Sequence, residues 1–175
     1  MKRNKITITI ISLVLILGIY YINHKLVTNN TNVNKTTASS TVNVKSGPSN
    51  LYPNPTLTPG DVLTTDATKV CTSGYSKSIR NVSSQTKKDV YKEYNVSYPQ
   101  PTGSIEVDHF ISLELGGSND IKNLWPEFAT PTPGFHEKDK VENYLHEQVC
   151  KGNMSLEEAQ KEISTDWYKV YLNIK

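Results

Sequence analysis

Two adjacent residues, Asp108 and His109, and a third some way downstream, His136, have the types and spacing to do chemistry on a phosphodiester. Asp108 offers a hard carboxylate oxygen suited to Mg²⁺ or Mn²⁺, and the His136 imidazole extends the choice towards transition metals such as Ni²⁺ or Zn²⁺. A divalent ion between them would polarise a phosphate and neutralise charge on a departing oxygen. An imidazole titrates close to neutral pH, so His109 is suited to take a proton from water as a general base. Adjacent residues on a regular strand point to opposite faces. A pair that works together therefore needs a twist, a bulge or a strand end at this position.

The elements around these residues predict an α+β domain. Ser83 or Ser84 caps a helix running to Tyr94, with Val90, Tyr91 and Tyr94 on its apolar side. A strand-like stretch covers 104–115 and ends in the turn Gly116-Gly-Ser-Asn-Asp120. Val141, Leu145 and Val149 form one stripe of a helix over 136–149, with Gly152 as its stop. Ser155 and Glu158 make a capping box for a last helix whose buried face is Leu156, Ala159, Ile163, Trp167 and Val170. The order is helix, hairpin, helix, helix. Trp125 and Trp167 read as core residues, and His24 and His146 are assigned no role.

The run Asp108-His109, then Gly116-Gly117, Asn123-Leu124-Trp125-Pro126 and His136-x-Lys138-x-Lys140 resembles the HNH (ββα-metal) endonucleases. It is similar to exported bacterial HNH-like proteins in sharing Gly74-Tyr75, Arg80 and the final Asp166-Trp167. The resemblance covers residues 52–172. It implies a hairpin-plus-helix core with an added N-terminal helix and a C-terminal helix. It also implies metal-dependent hydrolysis of DNA, with little sequence preference, leaving a 5′-phosphate and a 3′-hydroxyl. On this likeness Asp108 and His136 hold one divalent ion, Mg²⁺ first, and His109 is the general base. Asn123 is the middle residue of the motif, which ties the hairpin loop and orients His109; Asn119 is the rival for that task. Arg80, Lys138 and Lys140 are expected to contact the substrate. The chain departs from many relatives in lacking paired cysteines before the last histidine. It also has Lys140 where another ligand often stands.

The first residues organise the rest. Residues 1–5 are basic and 6–23 are apolar without a charge, which predicts a membrane anchor or uncleaved export signal with its N-terminus inside. Residues 24–51 are rich in Asn, Thr and Ser and read as a flexible spacer. The folded domain is expected over 52–175, outside the membrane, and as a monomer with no protein partner. Beyond residue 25 the chain carries 15 basic and 17 acidic residues, which excludes a strongly basic nucleic-acid footprint. The basic excess gathers at Lys69, Lys77, Arg80, Lys87, Lys88 and Lys92. Two cysteines, Cys71 and Cys150, predict a disulfide in an oxidising compartment, with two free buried thiols as the alternative. Two other classes of function stay open: a polyanion-binding module on an inactive HNH scaffold, and a cell-surface interaction domain.

Overall fold

The computed structural model describes residues 49–174. The basic flank 1–5, the apolar segment 6–23 and nearly all of the spacer lie outside them. Among the described residues no helix is long and apolar enough to cross a membrane.

Three short helices come first: α1 (Ala67–Val70), α2 (Tyr75–Ile79) and α3 (Ser84–Glu93). An antiparallel pair, β1 (Ile105–His109) and β2 (Leu124–Phe128), follows. Two long helices, α4 (Phe135–Cys150) and α5 (Leu156–Ile174), complete the domain. The expected α+β class holds in this form.

Local chemistry explains most boundaries. The Ser83 hydroxyl accepts from Thr86 N at 3.0 Å and caps α3, which satisfies one of the amides a helix start leaves orphaned. Gly134 N donates to the Glu137 carboxylate at 3.0 Å at the start of α4. The Ser155 hydroxyl accepts from Glu158 N at 3.1 Å, half of the expected capping box. The five residues expected on the buried face of α5 are all buried. That helix is broken at Asp166, whose backbone is non-helical and whose carboxylate accepts from Lys169 N at 3.2 Å. The chain therefore re-caps itself in mid-course, and the break is where Tyr52 bonds to Asp166.

The core lies between α4 and α5. Val141, Leu145 and Val149 meet Leu156, Ala159, Ile163, Trp167 and Val170, with Leu51, Val70, Ile111 and Leu115 closing the cluster. Each such side chain contributes roughly 1.5–3 kcal/mol by leaving water. Trp167 Nε1 donates to Leu51 O at 2.8 Å, so the packed unit takes in Leu51, one residue ahead of the expected boundary. Cys71 and Cys150 form a disulfide that joins the end of α1 to the end of α4.

The expected strand over 104–115 is cut short. In register, Asp108 faces Trp125 and His109 faces Leu124, and β2 begins there. Beyond His109 the Asn123 side chain takes over from a strand partner. Its Oδ1 accepts from Ile111 N, and its Nδ2 donates to Ile111 O, both at 2.9 Å. The chain then turns through a 3₁₀ segment, Leu113–Leu115, into Gly116-Gly117. A Cβ on Gly117 would overlap the Ile111 carbonyl, and Gly116 has φ +79°. Both glycines are thus required by the turn.

Candidate active site

The site is placed by β1, the loop that follows it, β2 and α4, with Arg80 and Asn81 added from the end of α2 and Lys87 from α3. At the end of β1, His109 is 2% exposed. Its Nε2 lies 3.1 Å from Asn119 Oδ1. The Asn119 amide is itself oriented: Nδ2 donates to Ile79 O at 2.8 Å, and Oδ1 accepts from Asn81 N at 3.2 Å. A carbonyl oxygen only accepts, so His109 must carry its proton on Nε2. That leaves the lone pair on Nδ1, which is buried and has no hydrogen-bond partner. Burial pushes the His109 pKa below the ordinary imidazole value, against the opposing pull of Asn119 and Asp108, while Arg80 and Lys138 lower it further. The ring is neutral at neutral pH and keeps one nitrogen unengaged.

Asp108 points the other way, into a group of charges around Lys138. Lys138 is wholly buried. Its Nζ donates to Asp108 Oδ2 at 2.7 Å, to the His109 carbonyl at 2.8 Å and to Glu142, with Glu127 Oε2 at 3.6 Å. Lys138 and Glu142 stand one turn apart on α4 and so share a face. Glu127 is delivered by β2, opposite Glu106 of β1. Three carboxylates around one ammonium cannot all stay ionised at low dielectric. Burial drives Glu127 well above the ordinary carboxylate range, and raises Glu142 to about 7. Asp108 is desolvated as well, yet the adjacent ammonium wins and holds its pKa down. Asp108 is the carboxylate that the Lys138 ammonium holds ionised, beside a Glu127 that burial pushes towards its neutral form.

Two pockets flank this strand end and share Arg80, Lys87 and Val107. The larger, about 460 Å³, has Glu106, Asp108, Asp139 and Glu142 on its acidic side and Tyr91 and Tyr98 beside them. The smaller, about 220 Å³, is lined by His109, Asn81 and Val82 together with the shared residues. Asp108 and His109 therefore face neighbouring spaces, as strand alternation requires, with Arg80 common to both.

No protein-family model, curated protein or solved structure matches this chain. The site is thus read from its own geometry.

His136 is exposed, with its ring against Phe135 at 4.3 Å between centroids, and it lies near enough to Glu106, Glu137 and Asp139 to influence their carboxyls. Burial raises the Glu106 and Asp139 carboxyls, and Asp108 raises both further. Among the described residues, one group of three possible metal ligands has all its donor atoms within 4.8 Å of one another. It is Cys71, His146 and Cys150, far along α4 from His109, and its two sulfurs form the disulfide.

Three expectations need correcting. Lys138, expected at the substrate, is enclosed by carboxylates and the His109 carbonyl, because the acids around it would otherwise be buried uncompensated. Lys140 faces a different pocket, with Tyr144, Tyr171 and Ile174, and pairs with Glu137 at 3.4 Å. Asn123 does tie the loop, bonding Ile111 and Ser118 O, but the amide at the His109 ring belongs to Asn119. Glu127 and Glu142 went unassigned in the sequence, although Lys138 and Glu142 at i, i+4 carried a signal. Arg80 lines both pockets.

Proposed function

We propose that this chain is a nuclease-type hydrolase of nucleic-acid phosphodiesters, built on a ββα-metal core of β1, β2 and α4. The observation that carries the reading is His109: a buried, neutral imidazole with its proton held on Nε2 by Asn119 and its Nδ1 lone pair unengaged. A neutral imidazole with a free lone pair is in the protonation state that a general base requires at neutral pH. Arg80 and Lys87, which line both pockets, would hold the phosphate, Arg80 by a paired guanidinium contact.

A divalent ion would be held on the acidic side of the larger pocket by Asp108, with Glu106, Asp139 and His136 closing in on it from positions more spread out than a preformed site. Oxygen donors with one imidazole suit Mg²⁺ or Mn²⁺, and admit Ni²⁺ or Zn²⁺. When bound, the ion would offset charge developing on the phosphate and the leaving oxygen. Because Lys138 already engages Asp108, binding in the absence of substrate is expected to be weak. DNA outside the membrane is the substrate this reading favours, with the 6–23 segment as anchor.

A second reading rests on the same lysine. Lys138 places a permanent cation against Asp108, and His109 faces the neighbouring pocket. A polyanion-binding module on an inactive scaffold would share both features. Supercoiled plasmid incubated with the purified chain in Mg²⁺, Mn²⁺ or EDTA separates the two. Metal-dependent nicking that falls at least about 100-fold in His109→Ala supports hydrolysis with His109 as base. Absence of nicking with every metal, from folded and disulfide-intact protein, would sink the enzyme reading.

A further inference from the structure

We propose that the Cys71–Cys150 disulfide masks a redox-gated site for a thiophilic divalent cation, with Cys71, Cys150 and His146 as its ligands. The donor atoms of the three residues already lie within 4.8 Å of one another. His146 and Cys150 are four residues apart on α4, on one face, and Cys150 Sγ is 3.4 Å from His146 Nε2. The two cysteine Cα atoms are 5.5 Å apart. Parting the sulfurs by small side-chain rotations would leave room for Zn²⁺, with bonds of about 2.3 Å to sulfur and about 2.0 Å to nitrogen.

The surroundings favour a cation once the sulfurs are free. His146 Nδ1 lies 3.9 Å from Glu114 Oε2, so that a small approach would let this outer carboxylate hold a proton on Nδ1 and leave Nε2 for a metal. In the crosslinked protein Nε2 carries the ring proton and donates to Val70 O at 3.0 Å; metal binding would shift that proton to Nδ1, on the Glu114 side, and free the Nε2 lone pair for the ion. Cys71 caps the end of α1, and Cys150 is the last residue of α4. The partial negative charge of α4's C-terminus adds to the attraction. Two thiolates and one neutral imidazole neutralise Zn²⁺ and leave a fourth position for water.

The oxidised protein cannot bind in this way, since disulfide sulfurs carry no charge and a lone imidazole is a weak site. Opening requires an external two-electron reductant. A dithiol serves by being oxidised to its own disulfide, while Cys71 and Cys150 each gain one electron and one proton. Both thiols then release their protons to solvent as the ion enters. The site is independent of His109: His146 lies about 12 Å beyond Lys138 along α4 at about 1.5 Å per residue.

The test uses the full chain with Co²⁺ as the probe, oxidised or reduced by a phosphine. The reduced protein is expected to bind one Co²⁺ per chain, with a thiolate-to-cobalt band and intense tetrahedral visible bands that Zn²⁺ abolishes. The oxidised protein should show neither. His146→Ala should weaken binding at least about tenfold and lose the tetrahedral intensity, and Glu114→Gln should weaken it about 10–100-fold. Zn²⁺ should raise the melting temperature of the reduced chain and leave that of the oxidised chain unchanged. A reduced chain with no thiolate band, or one that is unfolded and not refolded by Zn²⁺, would overturn the proposal. So would a His146→Ala spectrum identical to that of the wild type.

Discussion

The two halves of α4 bury opposite kinds of side chain. Its first two turns enclose Lys138 and Glu142 against Asp108 and Glu127, while Leu145 and Val149 in the later turns, with Val141 just before Glu142, pack towards α5. The apolar half is stabilised by area removed from water, a term that tolerates small changes of shape. The charged half is held by mutual compensation, so removing one member leaves the others exposed to the full cost of burial. A protein has little reason of stability alone to build the second kind of interior, since apolar residues of similar volume often serve as well. That contrast is the physical ground for placing the proposed chemistry at the strand end that carries His109.

The sharpest way to break the contrast is Lys138→Met, which keeps the volume and deletes the charge. It should cost about 3–5 kcal/mol in urea unfolding, because buried carboxylates lose their counterion. A loss below about 1 kcal/mol would show that the cluster is not held by compensation. Leu145→Ala, in the apolar half, should cost about 2–5 kcal/mol by cavity formation. Its cost should be the same at pH 5 and pH 8, whereas that of Lys138→Met should not. Asn119→Ala should cost about 1–3 kcal/mol through the Ile79 carbonyl, the Asn81 amide and the His109 ring it leaves unpaired. In the plasmid assay it should lower nicking and displace the pH profile, since the proton is no longer held on Nε2.

A further contrast concerns pH. Glu142 is raised to about 7 in the folded protein, from an ordinary value of 4.5. Between those values the native chain holds a proton that the unfolded chain has released. Stability from this group therefore falls as pH rises through that window, by at most about 1.4 kcal/mol per unit, and levels off above 7. Glu127, raised by burial, acts in the same direction. His109 works against them: its lowered pKa makes stability fall as pH drops below the ordinary imidazole value. Glu142→Gln should flatten the acid-to-neutral decline in melting temperature. An unchanged slope would mean that Glu142 is ionised throughout.

Much of the scaffold was legible because periodicity and capping are local. Ser83, the stripe Val141-Leu145-Val149 and the face from Leu156 to Val170 each name their own helix. The disulfide followed from cysteine number and compartment. The two short helices α1 and α2 were missed, since four or five residues do not complete a periodic pattern; the Asp66 cap was the one local sign of α1. The site was legible only in part. Asp108 and His109 stand out by type, but the burial of Lys138 depends on Glu127 arriving from β2, a contact across the hairpin that no local pattern encodes. The choice between Asn119 and Asn123 likewise turned on which amide the loop swings towards the imidazole. Gly116 and Gly117 settle that by allowing a turn tight enough for Asn123 to pair with Ile111.

The Cys71–Cys150 bond also determines how the chain would respond to a protease. The exposed Thr130-Pro-Thr132 segment between β2 and α4 is an accessible place for a cut, and it lies between the two cysteines in the sequence. A single nick there would sever the peptide link between His109 and Lys138 yet leave both fragments covalently joined. On a non-reducing gel the nicked protein would still run as one species, and two would emerge only on reduction.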